Sequence, residues 1–134
     1  SRKKQADADL QRAQFDIIDS AMKQFQLDMS RWPSDDEGLS VLWKKEDLED
    51  EDEAVNWRGP YLETPVVKDQ WGSEIIYQAE SETREGFYEL LSWGRDREED
   101  TEDDITNLDR FKNDEGELDE AFDDFAEPEP EGGS

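Results

Sequence analysis

The sequence contains no cysteine and no histidine. The first absence rules out disulfides, thiolate metal sites and cysteine nucleophiles. The second rules out imidazole ligands, zinc hydrolase chemistry and every histidine-based catalytic pair. Positive charge is scarce: 15 Lys and Arg stand against 40 Asp and Glu in 134 residues, a net charge of −25. Such a chain has few cations with which to release counterions from a phosphate backbone, so nucleic acid is not an expected partner. Apolar residues make up only 32% of the chain and never run on for more than a few positions, so nothing reads as a membrane span. The length allows one domain.

The acidity is concentrated. Residues 46–53 carry −7, residues 98–104 carry −6 and residues 112–134 carry −9, together −22 of the total. The remainder is near balance and reads as an ordinary domain with three acidic additions. Such runs are solvated loops or tails, cation sites, or surfaces for a basic partner.

Residues 7–29 predict a helix. Leu10, Ala13, Ile17, Ala21, Phe25 and Met29 recur at spacings of three and four, with Ile18 and Met22 widening the stripe. Asp9, Arg12, Asp16, Asp19, Lys23 and Gln26 fall on the opposite face. A helix at full strength so near Ser-Arg-Lys-Lys, with no signal peptide, reads as part of a longer protein. Pro33 closes the segment. Ser34-Asp35-Asp36-Glu37 is a capping-box pattern, predicting a short helix through Lys45 that buries Leu39, Leu42 and Trp43. Asn56 to Tyr61 and Asp69 to Ser73 are turn sequences.

Glu74–Ala79 and Phe87–Trp93 predict two strands joined as an antiparallel hairpin, with a third extended piece through Ile105 and Leu108. Long helix first and strands afterwards point to an α+β fold, the helix laid on a small antiparallel sheet. Residues 1–111 form the expected globular domain. Residues 112–134 read as a disordered acidic tail, although Leu118, Phe122 and Phe125 have the spacing of a short amphipathic helix that docks on a partner's groove. Trp57, Trp71 and Trp93 lie in turn contexts near strands; turn packing is the expectation, a carbohydrate platform the alternative. No nucleophile elbow, P-loop or dinucleotide fingerprint is present. Among 40 acids, a suggestive carboxylate pair carries no information, so no enzyme is expected.

Five segments in order resemble one family. Arg31-Trp32-Pro33-Ser34-Asp35-Asp36-Glu37-Gly38-Leu39 is similar to an aromatic-Pro-(Ser/Thr)-x-x-x-Gly-Leu lead into a second helix. Asn56-Trp57-Arg58-Gly59-Pro60-Tyr61-Leu62 resembles a Trp-rich turn before the sheet. Asp69-Gln70-Trp71-Gly72 resembles Asp-Pro-Trp-Gly, with Gln70 in place of proline. Ser92-Trp93-Gly94-Arg95-Asp96 resembles Ser-x-Gly-x-Asp-Gly, and Thr101-Glu102-Asp103-Asp104-Ile105 the acidic end of the same loop. These are motifs of the pseudopilins of type II secretion systems, most like the major (G-type) ones, and the resemblance covers about residues 6 to 110.

The resemblance implies a long N-terminal helix packed on a small antiparallel sheet. It implies a structural subunit that associates with itself through that helix, and with other secretion-system subunits, into a periplasmic fibre. It also implies anchoring in the bacterial inner membrane through a hydrophobic segment ahead of these residues. The acidic loop is then a calcium site, with Asp96, Asp103, Asp104 and the backbone carbonyl of Trp93 as ligands. Calcium takes six to eight oxygens in flexible geometry, and two carboxylates about 5 Å apart repel by about 3 kcal/mol at a dielectric of about 20, so a cation would relieve the loop. Two positions depart from the family pattern: Arg97 and Asp100 replace loop glycines. Arg95 or Arg97 could then neutralise the acids instead of a metal. The loop lacks the spacing and central glycine of an EF-hand. The competing reading, of another class, is an acidic module that presents its clustered charge to a basic protein.

Overall fold

A computed structural model describes residues 2–98, 103–113, 115 and 117–126. Helix α1 runs Arg2–Met29. Strands β1 (Ile76–Gln78), β2 (Glu89–Ser92) and β3 (Ile105–Thr106) follow, then helix α2 (Glu120–Ala126). The sheet has the order β1-β2-β3. Both pairings are antiparallel: Tyr77 lies opposite Leu90, and Ser92 opposite Ile105. The long helix on a small antiparallel sheet is the architecture expected from the sequence.

Neither glycine nor proline interrupts α1, and its register is set by what it buries. Gln11, Phe15, Ile18, Met22, Phe25 and Met29 form the inward line, joined by Ala21 and Asp19. The stripe expected from spacing is therefore corrected in its first half. Leu10 is 55% and Ile17 61% exposed, and Ala13 is exposed as well. The two lines are adjacent on the helix wheel, so periodicity alone cannot choose between them. Phe15 decides it, because the larger ring recovers more from burial.

The capping box forms as expected. The Glu37 amide donates to Ser34 Oγ at 3.1 Å, and the Ser34 amide donates to Glu37 Oε1 at 2.9 Å. The element that follows is a 3₁₀ helix over Gly38–Leu42, with a second over Lys45–Asp47, instead of one α-helix through Lys45. Gly38 sits at φ +65°, in the left-handed region, which interrupts α-helical continuation. Leu39, Val41 and Leu42 are buried. A third 3₁₀ segment, Glu51–Asn56, carries the acidic stretch back toward Arg31.

Two of the three tryptophans at turns, Trp57 and Trp71, serve packing. Trp57 Nε1 donates to the Val41 carbonyl at 2.8 Å and its ring meets Tyr61 edge-on at 5.4 Å. Trp71 packs against the core.

The expectation of disorder from residue 112 is corrected over the segment ending at Ala126. Phe122 is fully buried against Phe87 and Phe111, at ring-centroid distances of 4.8 and 5.6 Å. The partner groove suggested by the Leu118, Phe122, Phe125 spacing is supplied by the same chain. Composition hid this, because two phenylalanines anchor an otherwise acidic segment. Residues 127–134 lie outside the described residues.

Candidate functional site

Two regions carry the functional expectations: the solvent side of α1 and the acidic loop after β2. On α1, Leu10, Ala13, Ile17, Ser20, Gln24 and Leu27 follow one another at alternating spacings of three and four. Leu10, Ile17 and Leu27 are all at least half exposed. Beside this line, Ile17, Ser20, Ala21 and Gln24 form one wall of a cleft of about 520 Å³, and Tyr61 and Leu62 line the other. Tyr61 is fixed there because its hydroxyl donates to Asp28 at 2.7 Å and accepts from the Arg58 amide at 2.9 Å. The solvent side of α1 thus carries exposed Leu10, Ile17 and Leu27, with the polar Ser20 and Gln24 between the last two.

The loop starts from a rigid base. Asp69 Oδ1 accepts from the Trp71 and Ser73 amides at 3.0 and 2.9 Å, and its Oδ2 accepts from Ser92 Oγ at 2.7 Å. Ser92 Oγ in turn accepts from the Gly94 amide at 3.1 Å. The Asp69–Gly72 turn thus holds the end of β2. Gly94 lies at φ +78°, and a Cβ there would collide with the backbone carbonyl of Asp103, so the two limbs of the loop are pinned together. Gly94→Ala is expected to lower the unfolding free energy by about 2 kcal/mol or more, from left-handed strain plus the collision. Urea denaturation measures it, and a loss within error of zero would show that the limbs separate freely.

Asp96 is not extended into solvent alone: its Oδ1 accepts from the Glu98 amide at 3.0 Å. Arg97 stands where the family pattern has glycine, and it adopts φ +58°. The loop therefore makes a left-handed turn with a side chain that resists it. Asp103 lies 3.8 Å from Lys4 Nζ. Asp103 and Asp104 share a cavity of about 300 Å³ with Lys4, Arg12, Arg95 and Trp71. Trp93 is half-buried.

The oxygen-only donors suit a hard cation. Among the described residues, however, no three carboxylates converge where they could hold a metal. Glu99, Asp100, Thr101 and Glu102 lie outside the described residues.

Sequence reasoning missed two ionic centres. Arg31 donates to both oxygens of Glu37 at 2.7 and 2.9 Å and to both oxygens of Glu53 at 3.0 and 3.1 Å. The Glu37 side chain is fully buried, and it also accepts from the Glu49 amide at 3.0 Å. The acidic run 46–53 is thus tied down by Arg31 through Glu53, by Ser34 and Glu37 through Glu49, and by the buried Leu48. The capping box flagged Glu37, but nothing local points from Arg31 to Glu53.

The second centre is Asp19, placed on the outer face by the periodicity and found fully buried. Its Oδ1 accepts from Tyr88 at 2.6 Å and from Asn107 at 3.0 Å, and its Oδ2 lies 3.4 Å from Arg110. The readable signal was its position, one turn after Phe15 and three residues before Met22.

A family model described as "Type II secretion system (T2SS), protein G" matches residues 1–109. The chain belongs to this family. Protein G of Dickeya chrysanthemi is 37% identical over 102 residues, covering 75% of this chain and 64% of that protein. Its counterpart in Escherichia coli K12 is 35% identical over 102 residues, covering 75% of this chain and 68% of that protein. The chain therefore spans less than two thirds of the length of the first of these relatives. The crystal structure of the major pseudopilin from the type 2 secretion system of enterohaemorrhagic Escherichia coli is also similar. It is 27% identical, with a TM-score of 0.64, over 79% of this chain and 90% of that one. The protein G match stops before Arg110, so α2 lies beyond it. Among the described residues no helix is long and apolar enough to cross a membrane.

Proposed function

We propose that this protein G family member is a structural subunit of the secretion pseudopilus. Copies associate through α1 into a periplasmic fibre that works with the other subunits of the secretion system. A hydrophobic segment ahead of these residues tethers the full-length protein to the inner membrane. The observation that carries the reading is the second apolar line on α1, Leu10, Ile17 and Leu27, exposed on a helix whose inner line already fills the core. Burying such a side chain in a neighbour contributes about 1.5–3 kcal/mol per residue.

The test is Ile17→Asp in the full-length protein, expressed in secreting cells. Fibre recovery is expected to fall at least tenfold while the thermal midpoint of the soluble domain stays within about 2 °C. Normal fibres from a folded variant would overturn the reading. The acidic-module alternative is weakened because Arg31 already engages Glu37 and Glu53 within the chain.

The same reading includes a calcium-stabilised loop, with Asp96, Asp103, Asp104 and the Trp93 carbonyl as ligands. Its support is the family resemblance, the hard-oxygen donor set and the pinned Gly94–Asp103 closure. Calcium at a hundred times its dissociation constant would add about 2.7 kcal/mol. Millimolar calcium is expected to raise the thermal midpoint over excess chelator, with no equal rise in magnesium. The Asp96→Ala/Asp104→Ala variant should lose the response. An equal shift with magnesium would remove calcium from the account, and an unchanged response in the variant would remove Asp96 and Asp104 as its ligands.

A further inference from the structure

The face under α2 has a chemistry that the fibre reading does not use. Phe87 and Phe111 form its floor. Arg84 lies over the Phe122 ring at 5.6 Å, and Arg110 over the Phe111 and Phe125 rings at 4.4 and 5.2 Å. Lys23 of α1 lies 5.8 Å from the Phe125 ring centre and donates to the Phe125 carbonyl at 3.0 Å. Three cations thus ring an aromatic floor in a chain of net charge −25, with Arg110 also paired to Asp16 and Asp19 on the side of α1.

What sits there is complementary. Residues 117–126 carry five acids, and Phe122 and Phe125 stand one turn apart. The segment is joined to the body by the Lys112–Leu118 bridge and by the Asp119 amide, which donates to the Phe111 carbonyl at 2.6 Å.

Helix α1 and all three strands lie before this segment. The family match ends at residue 109. A seven-residue helix also does not persist by itself in water, so α2 is helical because it is docked. One fully buried ring, Phe122, is its main anchor. We propose that residues 117–126 are a strap that docks reversibly on a face complete without it. That face is a receptor for an acidic helix bearing two phenylalanines one turn apart, occupied at rest by the chain's own strap. The two parts follow from one geometry: cation–π contacts and an aromatic floor select such a helix, and a segment held by few buried groups opens below global unfolding.

The first test is hydrogen exchange on the full chain. Amides of residues 119–126 are expected to exchange at least tenfold faster than those of β2. Phe122→Ala should accelerate the strap a further tenfold or more and leave β2 unchanged; Phe125→Ala should do the same to a smaller extent. Strap and β2 exchanging together, or either variant accelerating both, would overturn reversible docking by making α2 part of the cooperative core. The second test uses the full-length Phe122→Ala/Phe125→Ala chain, whose own strap is disabled, and a fluorescent peptide of residues 115–126. Saturable binding is expected, at least tenfold weaker for the parent chain, and absent for a peptide with alanine at both phenylalanine positions. No saturable binding to a double variant that keeps its β2 protection would overturn the receptor. Loss of β2 protection in the double variant would overturn the strap.

Discussion

Arg31→Ala is expected to destabilise the protein by about 3 kcal/mol, near the range for removing one partner of a buried ion pair. The reason is the group left behind. Glu37 has a fully buried side chain and would keep only the Ser34 and Glu49 amides as donors. Glu53 would lose its tether at the same time, and Arg31 would no longer bond the Trp32 carbonyl at 3.1 Å. Arg31→Lys should recover only part of the loss, because an ammonium cannot make two parallel bonds to Glu37 and two to Glu53 at once.

The pH dependence follows with a definite sign. Burial pushes the Glu37 carboxyl up, but the Arg31 hydrogen bonds and the two backbone amides outweigh it and hold it at about 2. The ordinary value is 4.5. Its contribution is therefore present above about pH 4.5 and is lost as pH falls toward 2. Urea midpoints at pH 7 and pH 3 check this. Parent and Arg31→Ala should differ most at pH 7 and by clearly less at pH 3, where part of the Glu37 contribution is already lost. Equal midpoints at pH 7 would show that solvent, not Arg31, balances Glu37.

Asp19 should produce the opposite slope. Burial raises its carboxyl to about 7 from an ordinary 3.8, against the Tyr88 hydrogen bond, the Arg110 charge and the Asn107 hydrogen bond, with Asp16 adding a small upward push. Between about pH 4 and 7 the folded chain keeps a proton that the unfolded chain has lost. Stability therefore falls as pH rises through that window and levels off above 7. At about 1.4 kcal/mol per unit, the full fall is at most about 4 kcal/mol.

Asp19→Asn keeps an oxygen for Tyr88 and Asn107 and removes the charge. It should flatten this slope and be at least as stable as the parent at pH 8. The other acids contribute their own repulsion in both proteins, so the difference between parent and variant isolates Asp19. Urea midpoints at pH 5, 6, 7 and 8 decide it. A difference that does not change with pH, or one of opposite sign, would show that Arg110 keeps Asp19 ionised throughout.

The order of helix and strands, the capping box at Ser34 and Glu37, the turn at Asp69 and the family motifs could all be read along the chain. Each depends on residues within a few positions of one another, where backbone sterics and local hydrogen bonds act without help from the rest of the fold. The left-handed turn at Arg97 is the exception, since an arginine announces no such conformation.

Three features needed the folded chain. Which of two adjacent apolar lines on α1 faces inward depends on what the sheet offers it. Whether Asp19 lies in water or in the core depends on Tyr88, Asn107 and Arg110, all more than 60 residues away. Whether Phe122 and Phe125 belong to a free tail or to the body depends on Lys23, Arg84 and Arg110. A buried charge or a docked segment is stable only when distant groups arrive to meet it. Local pattern carries no record of those groups, whereas the periodicity that forms the helix lies wholly within it.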